Sequence, residues 1–371
     1  MDSSSRQNLT RLLKQADQKP VCVFTDLDKT SCLEGNASYA AQNKAETGQP
    51  ACYMQPEIRR ALTDLPQSGS AFYIVTGRHW ADVRVNDVTG EKIPDGAFHD
   101  LLGGVKDFEN ASAVAGHGRL LVENGKTTVL RRSASEEDAF KEQKFERYVG
   151  ENVMALKEEI FERWPEARGH ILAEYKKHLS YLNLAEFMES SPEKGKEMFA
   201  FVDQRMKYVM EGKNSDGTIN KNAPENPNGA LFYTVEPTGS MEIRSQNQSK
   251  RNGVEKSGFL DKAFEQGGPV LVLGDSLAKN GTDRDMVEAV RDYFREKGAL
   301  DRVFVIHVMN GENNRITDKS DKCFPTIAVK DPDELGQVMK MVAGHSRSRA
   351  VKESGKEAVL TQTMLKARGG R

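Results

Sequence analysis

The sequence predicts an α/β protein built on a parallel sheet, with a second, α+β unit inserted into it. Three observations carry that expectation. Three short apolar runs, Val21–Phe24, Ala71–Val75 and Pro269–Leu273, are rich in Val, Leu, Ile or Phe and end in polar residues, as buried strands do. Helical patterns alternate with them, which is the order of a βαβ chain. Between residues 133 and 235 the alternation is interrupted by about 100 residues of different composition, too long for a connection inside a compact domain.

In chain order, the first run is Pro20-Val21-Cys22-Val23-Phe24-Thr25 followed by Asp26-Leu27-Asp28-Lys29-Thr30. Ligands of an open α/β sheet lie beyond the carboxyl ends of its strands. Two carboxylates there are costly unless a cation or hydrogen bonds compensate them, so a divalent metal is an economical explanation. Asx-rich strand exits also arise from turn chemistry alone. A polar loop to about Pro50, a helix near Pro56–Leu65 and the second run follow, and that run ends in Thr76-Gly77-Arg78. A helix from about His79, a weaker strand ending near His117-Gly118-Arg119 and a hairpin around Asn124-Gly125 complete the first half of the core.

From Ser133 a long charged helix is expected. Phe145, Val149, Val153, Leu156, Ile160 and Trp164 fall three or four apart, and Pro165 ends it. This stripe reads as core packing. A strand-like stretch at Gly169–Leu184, a helix at Pro192–Met210 and a loop rich in Asn, Gly and Pro at Glu211–Gly229 follow. Alternation then resumes with Met241-Glu242-Ile243-Arg244, a helix near Gly253–Gln266 and the third run, which ends in Gly274-Asp275. Arg302–Val308 and Pro325–Val329 are further strands, and Asp333–Ala343 is a closing helix. The expected division is 16–132 for the first part of the core, 133–235 for the inserted unit and 236–345 for the second part. The stretch 346–371, with seven Lys or Arg against two Glu, is expected as a mobile basic tail.

A chain of 371 residues with 53 basic and 55 acidic side chains is nearly neutral, so no general attraction to nucleic acid or anionic lipid is expected. Small soluble partners fit better. Cys22, Cys32, Cys52 and Cys323 show no metal-ligand spacing. A reducing, cytoplasmic compartment is expected. Met1–Lys19 lacks the apolar core of a signal peptide, and no window approaches the roughly 20 apolar residues of a membrane span.

Strand ends carrying Asp26 and Asp28, Thr76, and Asp275 with Asp283, together with a lysine, describe a site for phosphoryl transfer. A phosphate monoester repels a carboxylate nucleophile, so a cation must screen it and donors must hold it in line. Asp26 and Asp275 can hold Mg²⁺, which prefers oxygen ligands. Asp26 is the expected nucleophile, forming an aspartyl-phosphate, and Asp28 the acid and base. Thr76 and Lys250 are expected on the phosphoryl oxygens. Lys250 is preferred to Lys256 because it precedes Gly253 at a helix start; His117 is expected to be structural.

The order Asp26-Leu27-Asp28-Lys29-Thr30, Thr76, Lys250 and Gly274-Asp275 with Asp283 resembles the four signatures of the haloacid dehalogenase (HAD) superfamily of aspartate-nucleophile phosphatases. The resemblance spans roughly residues 20–345. It implies a Rossmann-like core with an inserted cap, and a Mg²⁺ site made by Asp26, Asp275, Asp283 and the backbone carbonyl of Asp28, whose carboxyl stays available for proton transfer. Thr76-Gly77-Arg78, His117-Gly118, Met241-Glu242-Ile243-Arg244 and Thr282-Asp283-Arg284-Asp285 resemble strings of the trehalose-6-phosphate phosphatases. That branch implies a sugar phosphate as substrate, with Glu174, Lys176 and Arg244 as contacts. The chain departs from it in three places. Lys29 stands where the branch usually has Gly. Asp275 and Asp283 are eight apart instead of four, which leaves Asp285 as a rival to Asp283. Ser180-Tyr181-Leu182-Asn183 stands where a His-Tyr-Arg is usual, so the sugar-reading arginine is missing. A non-catalytic scaffold of the same fold, or a phospho-accepting receiver-like module, are the alternative functions.

Overall fold

The computed structural model describes residues 1–27, 30–34, 52–54, 56–77, 112–116, 118, 120–123, 126–130, 135–176, 179–229, 231–235, 239–245, 249–277, 281–310 and 326–368. Asp28, Lys29, Arg78, the helix expected from His79, His117, the Asn124-Gly125 turn and Cys323 lie outside them. Two compact units emerge: Met1–Asp82, Ala97–Leu130 and Ser249–Arg371 form one, Val83–Gly96 and Arg131–Gln248 the other.

The sheet of the first unit is centred on β1 (Cys22–Thr25). On one side lie β12 (Val270–Gly274), β13 (Val303–Val308) and β14 (Thr326–Val329), all parallel to it. On the other lie β4 (Ala71–Val75) and β5 (Ser112–Ala115), also parallel. An antiparallel pair, β6 (Leu120–Glu123) and β7 (Lys126–Val129), extends that edge to eight strands in the order β14-β13-β12-β1-β4-β5-β6-β7. The apolar runs form because both faces of a parallel sheet are covered, so every residue of β1 and β12 is buried.

Alternation along β1 divides the interior in two. Val23 joins one apolar cluster with Leu9 and Leu12 of helix α1 (Ser3–Ala16), Ile58 and Leu65 of α2 (Pro56–Gln67), and Leu335, Val338 and Val342 of α9 (Pro332–Arg368). Cys22 and Phe24 join the other, with Val254 of α6 (Lys250–Lys256), Phe259 of α7 (Phe259–Glu265), and Met286, Val290 and Phe294 of α8 (Thr282–Glu296). Within it Tyr73 stacks on Phe259 at 4.1 Å between centroids, and Phe24 lies 5.1 Å from Tyr73.

The second unit carries a four-stranded antiparallel sheet ordered β10-β11-β9-β8, from β10 (Leu231–Val235), β11 (Ser240–Ser245), β9 (Leu179–Asn183) and β8 (Leu172–Lys176). Its core is built from α3 (Glu136–Arg163), the short α4 (Ala185–Ser190) and α5 (Pro192–Met210), with Met241, Ile243 and Leu182 from the strands. The expected stripe from Phe145 to Trp164 is buried throughout.

One element was not expected, and four expectations need correction. The N-terminus is a helix: Asp2 caps it through the Ser5 N–H at 2.7 Å, and Leu9, Leu12 and Ala16 give it one apolar side. Inside the expected loop before Pro50, β2 (Cys32–Glu34) pairs antiparallel with β3 (Cys52–Met54). The expected helix from Gly253 is two helices, broken at Gly258, whose φ of +74° is left-handed. The boundary at 235 is too early, because β11 pairs with β9 and β10 and belongs to the second unit. Ser346–Arg368 continues α9 instead of forming a mobile tail. Its first turns are held to the core: Ser346 is buried, Arg349 donates to the Ser68 carbonyl, and Arg347 pairs with Asp64 at 3.3 Å. Among the described residues no helix is long and apolar enough to cross a membrane.

Truncating Phe24 removes the ring that joins β1 to Tyr73 and Phe259. Phe24→Ala is expected to cost about 3–5 kcal/mol in chemical denaturation of the whole chain; a loss within error of zero contradicts this packing.

Candidate active site

The register of β1 decides where the chemistry sits. Thr25 pairs with Leu273 on one side and Ile74 on the other. Asp26, Gly274-Asp275 and Thr76 therefore emerge at one edge of the sheet, at the carboxyl ends of three neighbouring strands. The Asp26 N–H donates to the Leu273 carbonyl at 3.2 Å and the Thr76 N–H to the Val114 carbonyl at 2.9 Å, which fixes both exits. Thr25 is a packing residue: its buried hydroxyl donates to the Asp26 carbonyl at 2.7 Å.

Asp26, Asp275 and Asp283 are all buried, and one oxygen from each lies within 4.8 Å of the others. Asp283 is fully inaccessible and is pinned from two sides. Its Oδ2 accepts the Asp275 N–H at 2.9 Å and the Ser276 N–H at 3.1 Å, and its Oδ1 accepts from Lys250 Nζ at 2.5 Å. Lys250, 3% exposed, also reaches Asp26 Oδ1 at 2.7 Å. Burial works against the ammonium, but the carboxylates of Asp26 and Asp283 outweigh it and hold Lys250 above its ordinary range. The lysine is therefore a fixed positive charge.

Three carboxylates gathered in a buried place are costly unless cations or hydrogen bonds compensate them. An all-oxygen donor set of this kind suits a hard divalent cation such as Mg²⁺, and Asp26, Asp275 and Asp283 are the residues that could hold it.

Glycines bring the parts this close. A Cβ on Gly274 would lie 2.6 Å from the Asp283 Cβ and 2.7 Å from its Oδ2, so only glycine lets Asp283 close over the end of β12. Gly118, at φ +90°, and Gly253 meet backbone to backbone: a Cβ on Gly253 would stand 2.4 Å from the Gly118 Cα, and one on Gly118 2.1 Å from the Ser249 carbonyl oxygen. That contact sets the start of α6, and so Lys250.

Of the expected residues, Asp26, Lys250, Asp275 and Asp283 are brought together, with Thr76 at the same sheet edge. Asp283, not Asp285, enters the cluster, and Lys256 is exposed at the far end of α6. Asp28 lies outside the described residues. Arg244 is on β11 in the second unit. There the register aligns Glu174 with Tyr181 and Tyr181 with Glu242, and in the next row Lys176 with Leu179 and Leu179 with Arg244. Side chains of Glu174 and Lys176 lie outside the description.

Two supports escaped the sequence reading. Thr30 donates to Asp275 Oδ1 at 3.2 Å, a role its place in the Asp-x-Asp-x-Thr string could have suggested. His307, on β13 beside Gly274, is pushed below its usual range by burial; its Nε2 is 3.3 Å from the Asp275 carbonyl oxygen. A histidine inside the apolar run Val303–Val308 was the available signal.

No protein-family model and no curated protein matches the chain. Solved structures do. The C-terminal domain of the trehalose-6-phosphate phosphatase of C. albicans is 15% identical, over 91% of this chain and 97% of that one, with a TM-score of 0.53. The chain has the haloacid dehalogenase fold. The trehalose-6-phosphate phosphatase of Aspergillus fumigatus is 14% identical over 91% and 97% at a TM-score of 0.44. A variant IMP-nucleotidase of Plasmodium falciparum with bound IMP is 12% identical over 91% and 70% at 0.44.

In this HAD-fold chain Gly274→Ala displaces Asp283 from its two amide donors. It is expected to weaken Mg²⁺ affinity roughly 10–100-fold, read by titration calorimetry; wild-type affinity contradicts the assignment of Asp283 to the ion.

Proposed function

We propose that the chain is a Mg²⁺-dependent phosphomonoesterase acting on a sugar phosphate, trehalose 6-phosphate or a related ester, through an aspartyl-phosphate. The single observation behind this reading is Lys250, clamped between Asp26 and Asp283 while Asp275 adds a third buried carboxylate. Four side chains from three separate segments converge where a phosphate ester can meet an acidic nucleophile, a fixed cation and a metal ligand set. The HAD fold, shared with phosphatases, agrees with it.

In this reading an Asp26 carboxylate oxygen attacks phosphorus and the bond from phosphorus to the ester oxygen breaks. Asp28 gives its proton to the leaving alcohol, so the sugar departs neutral. Asp28, now a carboxylate, takes a proton from water, the resulting hydroxide oxygen bonds to phosphorus, and the bond to Asp26 breaks to release inorganic phosphate. Lys250 and Thr76 stabilise the equatorial oxygens during both displacements. Bound Mg²⁺ supplies charge screening between the phosphoryl oxygens and the carboxylates. Asp28, two residues past Asp26 in the sequence, is assigned this acid and base role. Reading of the alcohol part is assigned to the second unit, with Glu174, Lys176 and Arg244 as contacts.

Phosphate release from a panel of sugar phosphates is the test. Asp26→Asn is expected to lose roughly 10³-fold or more with the fold intact by circular dichroism, Lys250→Ala about 10²–10³-fold, and EDTA is expected to abolish turnover until Mg²⁺ is restored. Undiminished release by Asp26→Asn would refute the mechanism. Selective hydrolysis of trehalose 6-phosphate fixes the substrate, and hydrolysis of other esters alone keeps the chemistry and discards that substrate.

A further inference from the structure

The second unit holds a buried cation that its own fold leaves unsatisfied. Arg244 on β11 is 5% exposed, yet its Nε and Nη1 are buried with no hydrogen-bond partner among the described residues. Among the described residues its ion-pair partner is Glu242, with Oε2 at 3.7 Å from Nη1, beyond hydrogen-bond reach. The guanidinium lies over the Phe232 ring, with Cζ 5.2 Å from the centroid. Phe232 pairs with Arg244 in register, so the ring and the cation are neighbours across two strands. On the other side Leu179 pairs with both Arg244 and Lys176, so one row across the sheet runs Phe232, Arg244, Leu179, Lys176. That row carries two basic residues.

A buried donor left unpaired bears its full desolvation cost, and for a charged group that cost is larger still. Guanidinium is also built to present parallel N–H groups to a carboxylate or phosphate. Stacking on an aromatic ring holds such a fork in one plane while leaving its in-plane donors open. Met241 and Ile243, flanking Glu242 on the same strand, enter the apolar core of the unit with α3 and α5, so alternation puts Glu242 and Arg244 on the opposite face of β11.

We propose that Arg244, beside the Phe232 ring, is the centre of an oxyanion site in the second unit, taking a carboxylate or phosphate group. Two sources supply that chemistry. One is a second anionic group on the substrate itself, which makes the preferred ester a sugar bisphosphate or a phosphorylated sugar acid in place of one with a neutral alcohol part. The other is free phosphate acting as a separate ligand.

The first arm titrates inorganic phosphate into the full-length chain and into Arg244→Gln and Arg244→Lys, with thermal melts run alongside. Arg244→Gln is expected to lose one phosphate-binding event, or to weaken it about 10–100-fold. Arg244→Lys, which keeps the charge but not the fork, is expected to fall between. Identical titrations for all three proteins overturn the site, and a lowered melting temperature with unchanged phosphate binding makes Arg244 a purely structural partner of Glu242.

The second arm rests on the phosphomonoesterase reading. It compares kcat/KM for paired esters with and without a second anionic group. A substrate source predicts a preference of roughly tenfold or more for the doubly anionic ester, lost in Arg244→Gln. A free-phosphate source predicts no preference, with the phosphate-binding event still lost in that variant. Should no ester be hydrolysed, the enzymatic reading fails while the phosphate titration still decides the site.

Discussion

Three carboxylates gathered in a buried place are the constraint around which the first unit is arranged. One oxygen from each of Asp26, Asp275 and Asp283 lies within 4.8 Å of the others in a buried cluster, and among the described residues Lys250 pairs with Asp26 and Asp283. Nothing about helix or strand formation requires this. An apolar residue at any of those positions avoids the desolvation cost, so the carboxylates weaken the fold unless they are compensated. The surrounding structure responds by spending its polar contacts there: two backbone amides on Asp283, Lys250 across Asp26 and Asp283, and Thr30 on Asp275.

Much of the first unit serves to bring those groups to one place. Parallel register puts Asp26 and Asp275 at the ends of adjacent strands, which a chain of local contacts alone cannot do. Asp283 arrives on the first turn of α8, and Lys250 on the first residue of α6. Both helices approach the sheet over glycine. At Gly274 the absent Cβ is the space that Asp283 fills, and at Gly118 and Gly253 backbone meets backbone. Buried His307 reaches the Asp275 carbonyl from β13. The second unit is organised differently: an antiparallel sheet with its helices packed over Met241, Ile243 and Leu182, and Arg244 and Glu242 alternating away from them.

The central strands were legible because burial on both faces writes an uninterrupted apolar run, as in Cys22–Phe24 and Val270–Leu273. The α3 stripe was legible because one face of a long helix meets the core at a fixed period. Elements whose cohesion comes from partners far along the chain left little local trace. Helix α1 shows mostly polar residues, and it is held by Asn8 donating to the Thr326 carbonyl and Ser5 accepting the Ala328 N–H. The β2–β3 pair joins two three-residue strands. Strand β11 reads equally well as core or insertion until its partners β9 and β10 are known. For the site, residue type and order were enough to pick out Asp26, Lys250, Asp275 and Asp283. They could not decide between Asp283 and Asp285, because that depends on which side of α8 closes on Gly274. Nor could they show that Arg244 is buried with open donors, which is a property of packing alone.

The direct test is calorimetric titration of the whole chain with Mg²⁺ at neutral pH, before any substrate is added. If the cluster exists to hold a divalent cation, one ion binds per chain, and binding raises the melting temperature by compensating the buried charge. Asp275→Asn, which removes a carboxylate from the cluster, then binds more weakly. A wild-type chain that binds no Mg²⁺ and melts at the same temperature with or without it contradicts the account at its centre.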